Sequence, residues 1–288
     1  MTGNQMGALL MIGSMAGFTI NDTLVKMVGG EMPLSQILTL RGVVATLLIY
    51  LLARRLGSLR WNLAKGDWGL VAARCVAELL STYLFLTALM VTPLANLTAI
   101  LQGLPLTITL GAALFFGEPV GWRRMSAILV GFCGILLIVR PGVDGFGSGT
   151  LYGLGAVIAI TARDLLTRRM SSEVPSMVVT LLASLTVLVF GLVASTQVTW
   201  QPATVNSLAI VTGAAVFIFV GYLCSVMTMR VGDVAFVSPF RYTGLLWALL
   251  LGWLVFGDWP DPLTLLGAAI VVATGLFTLY RERQVSES

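Results

Sequence analysis

A chain of 288 residues in which 57% are hydrophobic and 10% charged, with a mean hydropathy of +0.94, departs far from a water-soluble domain, in which about 25% of residues are charged. It reads as a polytopic membrane protein embedded in a lipid bilayer, and its net charge of +4 reports loop orientation rather than a nucleic-acid partner. The chain has no histidine, and Cys75, Cys133 and Cys224 all fall within apolar segments without metal-ligand spacing, so neither a disulfide framework nor a zinc site is indicated.

A membrane-spanning helix needs about 20 mostly apolar residues at 1.5 Å each. Ten segments qualify: 6–28, 34–53, 68–91, 94–116, 121–139, 149–169, 175–196, 207–229, 234–256 and 262–280. The first lacks a basic leader and a small-residue cleavage pattern, and is read as a retained helix rather than a signal peptide. The short connections Val91-Thr92-Pro93 and Arg230-Val231-Gly232-Asp233 predict antiparallel hairpins of helices three with four and eight with nine. One side of the membrane receives Arg54, Arg55, Arg60, Lys65, Arg123, Arg124, Arg168, Arg169, Arg230, Arg281 and Arg283, and the other only Lys26 and Arg140. That bias places both termini in the cytoplasm. Trp61, Trp68 and Trp122 then fall at the inner interface, Trp200, Trp253 and Trp259 at the outer one, and Trp247 mid-span.

The chain is one unit written twice. DTLVKMVGGEMP at 22–33 returns as DLLTRRMSSEVP at 164–175, which aligns Asp22 with Asp164, Lys26 with Arg168, Glu31 with Glu173 and Pro33 with Pro175 at an offset of 142. FFGEP at 115–119 and VFGDW at 255–259 align Gly117-Glu118 with Gly257-Asp258 at an offset of 140. The expected units are residues 1–145 and 146–288. Five spans per copy is an odd number, so the second copy enters the membrane from the opposite side. The expected fold is therefore all-α, with ten transmembrane helices as two inverted five-helix repeats, the architecture of secondary transporters.

Ten spans in two inverted halves, the short hairpins, and the Gly-acid corner before the last span of each half resemble the drug/metabolite transporter superfamily, specifically its EamA-like branch. Within that branch the chain is most similar to bacterial amino-acid exporters, including the aromatic amino-acid exporter type. The resemblance covers essentially the whole chain, and its motifs speak more to fold than to cargo. It implies a central cavity lined by helices one to four and six to nine, with five and ten behind, and efflux of small polar metabolites across the bacterial cytoplasmic membrane.

An ionisable side chain in hydrocarbon costs about 2.5 to 3.5 kcal/mol at a helix centre on insertion scales, and so faces the bundle interior or a water-filled cavity. Arg41, Arg74, Glu78, Arg163 and Arg241 are the embedded charges, with Asp22 and Asp164 nearer helix ends. Arg74 and Glu78 stand at i and i+4, either as a self-satisfied ion pair or as a cavity wall continued by Ser81, Thr82 and Phe85. Through the repeat, Arg41 meets Ala183, Arg74 meets Ala214, Glu78 meets Ile218 and Arg241 meets Leu101. The five-helix scaffold does not require these charges, so recognition or gating is their expected role. For an amino-acid cargo, Arg41 or Arg241 offers a bidentate fork to the carboxylate. Glu78, or the faces of Tyr83, Tyr242 and Trp247, suit the ammonium. Thr82 and Gln102 complete the candidate binding set, and Asp22, Arg74 and Asp164 are gate or coupling candidates.

Isolated Ser and Thr on helices four and eight read as helix-to-helix hydrogen bonds. The small faces of helices five (Ala127, Gly131, Gly134) and ten (Gly267, Ala268, Gly275) read as packing, inside one bundle or between protomers. The expected function is alternating-access export of aromatic and other neutral amino acids, with Asp22 or Glu78 available to carry a proton. Efflux of cationic drugs, or an uncoupled facilitator or channel, are the alternatives. The sequence carries no cofactor motif, nucleophile elbow, acidic metal cluster or phosphate loop, and an enzyme is not expected.

Overall fold

The computed structural model describes residues 2–57, 59, 61, 64–117, 121–140, 147–171, 173–231 and 234–286. Arg60, Glu118 and the Gly232-Asp233 connection, singled out above, lie outside them. The helices are α1 (Gly3–Val28), α2 (Leu34–Arg55), α3 (Lys65–Val91), α4 (Leu94–Leu101), α5 (Leu104–Phe116), α6 (Trp122–Val139), α7 (Ser148–Arg169), α8 (Ser176–Ser195), α9 (Val205–Val231), α10 (Val234–Val237), α11 (Thr243–Leu251) and α12 (Pro262–Ser286). Among the described residues nine segments are long and apolar enough to cross a membrane, and Met125–Val139 is a shorter apolar helix. These are the ten expected spans.

Two spans are not the continuous helices the hydrophobic runs suggest. The fourth breaks at Gln102-Gly103 between α4 and α5, and the ninth tightens into a 3-10 turn over Ser238–Tyr242 between α10 and α11. Proline explains both: Pro105 and Pro239 lack the N–H that would bond the preceding turn, and their rings crowd its carbonyl. The two breaks fall in corresponding positions of the two halves. Beyond them, Gly117 and Gly257 close the fourth and ninth spans at φ +68° and +70°. Only glycine adopts that left-handed geometry freely, which is why both matched corners carry it.

Packing follows the inverted symmetry. Helix α1 lies along α9 and α3 along α7, while α2 packs on α8 and α6 on α12. The hairpin neighbours α3 and α4 touch as expected, and the extensive partner of α3 is α7 of the other half. Polar groups stitch α1 to α9: Ser14 Oγ donates to the Gly221 carbonyl at 2.8 Å and Thr228 Oγ1 to that of Gly7 at 3.4 Å. The small faces of α6 and α12 meet inside the one bundle, so close that a Cβ on Gly134 would lie 2.9 Å from the Gly267 carbonyl oxygen.

On the face opposite the termini, Asp261 caps α12. Its carboxylate accepts from the N–H groups of Leu263 (3.0 Å) and Thr264 (3.1 Å) and from the Thr264 hydroxyl (2.8 Å), and it pairs with Arg140. Slight burial pushes this carboxyl up, but the Thr264 donors and the Arg140 guanidinium outweigh it and hold it at about 2. A depressed carboxyl contributes stability above its unfolded value and loses it as pH falls from about 4 towards 2. Asp261→Ala is expected to cost about 1 kcal/mol of cap energy at neutral pH. Asp261→Asn keeps most of the cap and flattens the acid dependence between pH 4 and 2. Thermal unfolding in detergent against pH measures both.

Candidate functional site

A cleft of about 640 Å³, counted with its open mouth, lies between α2, α3, α8 and α9. Its walls are repeat-related. At the offset of 142, Leu38 is the counterpart of Thr180, Arg41 of Ala183, Gly42 of Ser184 and Ala45 of Val187. At the offset of 140, Glu78 is matched by Ile218 and Thr82 by Tyr222. Both members of each pair line the same space, so the cleft sits on the axis relating the halves, where inverted-repeat transporters hold their substrates. The charges on its walls, Arg41, Arg74 and Glu78, all come from the first half. The second half answers mainly with Ala183, Val187, Ile218 and Phe219, and with the hydroxyls of Thr180, Ser184 and Tyr222.

The i, i+4 spacing on α3 forms the anticipated ion pair, with Arg74 Nη2 3.2 Å from Glu78 Oε2. It is not self-contained. Arg163, reaching across from α7, places Nη1 3.6 Å from the same oxygen while its Nη2 holds Asp164 at 2.8 Å. Arg74 Nε donates to Thr167 Oγ1 at 3.2 Å, which ties the α3 cation to α7. These ion contacts lack hydrogen-bond geometry at Glu78 Oε2, and Arg74 Nη1 is buried without a hydrogen-bond partner. The cleft wall thus presents a buried donor and a buried acceptor with unused hydrogen-bonding capacity.

Arg41, 7% exposed, donates through Nη1 to Asn21 Oδ1 at 3.3 Å, and Asn21 in turn donates to Asp22 Oδ1 at 2.8 Å. Asn21-Asp22 on α1 and Arg163-Asp164 on α7 are repeat counterparts, and each couples to its neighbour in the same way. Three arginines (Arg41, Arg74, Arg163) and three acids (Asp22, Glu78, Asp164) give the assembly a formal charge of zero, which limits the cost of holding it in the bilayer.

The remaining candidates lie elsewhere. Tyr83 turns away from the cleft, stacks edge-on against Phe190 at 5.8 Å, and lines a separate apolar groove between α2, α3 and α8. Gln102, Arg241, Tyr242 and Trp247 belong to the broken fourth and ninth spans and do not line the cleft. Gln102 lies beside Gly244. The Tyr242 hydroxyl is buried against Gly275 of α12, and Arg241 is exposed. Two residues beside these charges stand outside the candidate binding and gate sets given above, Arg163 having been noted only as an embedded charge. Tyr222 packs edge-on against Phe18 at 5.2 Å and stands in the electrostatic field of Glu78, Arg163, Arg74 and Arg41. Arg163 is the other. The repeat carried a signal for Tyr222, since it occupies the position of Thr82.

The model of the EamA-like transporter family matches residues 5–140 and again 147–280, one match per half. The chain belongs to that family. It is a multi-pass protein of the bacterial inner membrane, and its family is one of small-molecule transporters. It is 30% identical over 97% of its length to a riboflavin transporter of Vibrio cholerae, covering 95% of that protein. A pseudopaline exporter of Pseudomonas aeruginosa is 28% identical, with 92% of this chain and 93% of that protein aligned. An S-adenosylmethionine uptake transporter of Rickettsia conorii is 24% identical over 68% of this chain and 66% of its own. A solved crystal structure, 17% identical, shares the fold with a TM-score of 0.66 over 96% of this chain and 98% of that one. The relatives name three cargoes and both directions of transport, so the expected likeness to aromatic amino-acid exporters narrows to membership of the EamA-like family.

Proposed function

We propose that this protein is a secondary transporter, not an enzyme, that moves a small metabolite with a polar, charge-balanced head and an apolar body across the inner membrane by alternating access. The halves 1–145 and 146–288 exchange conformations around a fixed site. The observation that supports this is the axial cleft with ions of both signs on one wall and mainly apolar side chains on the other. Aromatic and other neutral amino acids match the chemistry of its lining: the carboxylate for Arg41, the ammonium for Glu78, the side chain for Ile218 and Phe219. The loop charges favour termini in the cytoplasm, and the resemblance to amino-acid exporters makes export the proposed direction. Asp22 and Glu78 are the carboxyls available to exchange a proton. The small faces of α6 and α12 close within one chain, which supports a monomer as the transporting unit.

Riboflavin is the second reading, favoured by the 30% identity to a riboflavin transporter over nearly the whole chain. Its flat ring would lie on Phe219 and Tyr222, and its polyol tail against Arg74 and Glu78.

The test is flux into proteoliposomes of the purified protein, with labelled phenylalanine and leucine, riboflavin and a cationic dye, each with and without a pH gradient. Saturable phenylalanine and leucine flux is the expected result. Saturable riboflavin flux alone selects the second reading, flux of the dye alone assigns the protein to cation efflux, and non-saturating flux of all solutes assigns a channel.

A further inference from the structure

Two contacts outside the cleft are copies of one another. Lys26, in the last turn of α1, places Nζ 5.3 Å from the centroid of the Phe256 ring and donates to the Thr92 carbonyl. Arg168, in the last turn of α7, places Cζ 6.0 Å from the centroid of the Phe116 ring. Lys26 and Arg168 are matched at the offset of 142, and Phe116 and Phe256 at 140. Each ring is the last residue before a left-handed glycine, Gly117 or Gly257, which fixes where it stands at the end of its span.

Topology makes these contacts more than packing. In each, the cation sits on the first span of one half and the ring on the fourth span of the other half. Both therefore join the halves, one at the face bearing the termini and one at the opposite face. In the alternating-access reading, a contact between span ends of the two halves at one face separates when that face opens, while its counterpart at the other face persists. A ligand or residue that interacts differently with two states shifts their populations by that difference and no more.

We propose that Lys26–Phe256 and Arg168–Phe116 are a repeat-related pair of cation–aromatic latches, one at each membrane face, that set the balance between the two open states. This rests on the alternating-access reading. The two are unequal. Lys26 is half-buried, whereas Phe116 is 38% exposed and its distance from Arg168 lies at the outer limit for such a contact. The latch opposite the termini is the stronger, so the resting protein is closed at that face.

The experiment uses a background in which Cys75, Cys133 and Cys224 are replaced by serine and Ser184→Cys reports on the cleft. Labelling by a membrane-impermeant thiol reagent is measured from each face in oriented proteoliposomes, without cargo. Phe256→Leu, which keeps apolar bulk and removes the ring, is expected to raise labelling from the face opposite the termini several-fold. Phe116→Leu is expected to lower it and raise labelling from the termini face. Lys26→Met repeats the Phe256→Leu shift, and Arg168→Lys, which retains the cation, stays near the starting balance. Labelling from both faces with Phe256→Leu and Phe116→Leu shifting the same way, or not at all, overturns the latches alone. Labelling from one face only in every variant overturns alternating access and the latches together.

Discussion

Replacing Glu78 by glutamine lowers transport by about 100-fold or more and destabilises the protein at the same time. Glu78 is 8% exposed and is the acid shared by Arg74 at 3.2 Å and Arg163 at 3.6 Å. Removing one partner of a buried ion pair costs about 3 to 5 kcal/mol, because it leaves uncompensated charge behind, and here two guanidiniums lose their shared counter-charge. A stability loss and a transport loss have to be separated. The double variant Arg74→Gln/Glu78→Gln removes one charge of each sign and is expected to recover much of the thermal stability in detergent. Transport stays low in it, because the polar wall that meets the cargo is gone. Wild-type flux in Glu78→Gln between pH 6 and 8 would remove this residue from the mechanism, both as a binding group and as a proton carrier.

Arg41→Lys is the second large effect. Arg41 spends one nitrogen on Asn21 at 3.3 Å and lines the cleft with the rest of its fork. Lysine keeps the charge but has no planar fork, and at a bidentate site the exchange is not conservative. A charge-assisted hydrogen bond contributes about 1.5 to 3 kcal/mol, so KM for a zwitterionic amino-acid cargo, whose carboxylate Arg41 holds, is expected to rise about 10- to 100-fold with maximal flux changed little. The split between KM and maximal rate is the diagnostic. A fall in maximal flux at unchanged KM would place Arg41 in the conformational step, acting through Asn21 and Asp22, and not in recognition.

Both predictions depend on an arrangement that was partly visible in the chain itself. The embedded arginines and acids stood out because hydrocarbon tolerates few of them. Arg74 and Glu78 could be paired on paper because four residues make one helical turn. The repeat added an internal comparison, which showed Arg41 and Glu78 opposite Ala183 and Ile218. The structure turns those sequence matches into facing walls of one cleft. Tyr242, Gln102, Arg241 and Trp247 had the right chemistry, yet they sit on broken spans away from that space. Pro105 and Pro239 were the warning that the fourth and ninth helices would not run straight.

By itself the sequence determined the membrane setting, the ten spans, the duplication and its inversion, and the small faces of the last span in each half. These follow from local quantities: apolar length against bilayer thickness, an odd span count per repeat, and glycine at corners with positive φ. Tertiary structure alone decided that Arg163 reaches Glu78 across α3 and α7, that Tyr222 stands among the charges, and that Lys26 and Arg168 lie over rings of the opposite half. The physical reason is the solvent. In lipid the outside of a helix is as apolar as its inside, so the hydrophobic pattern that would aim a soluble helix at its core is nearly silent. Which faces meet is settled by close backbone approach and by the mutual compensation of buried charges from helices distant in sequence.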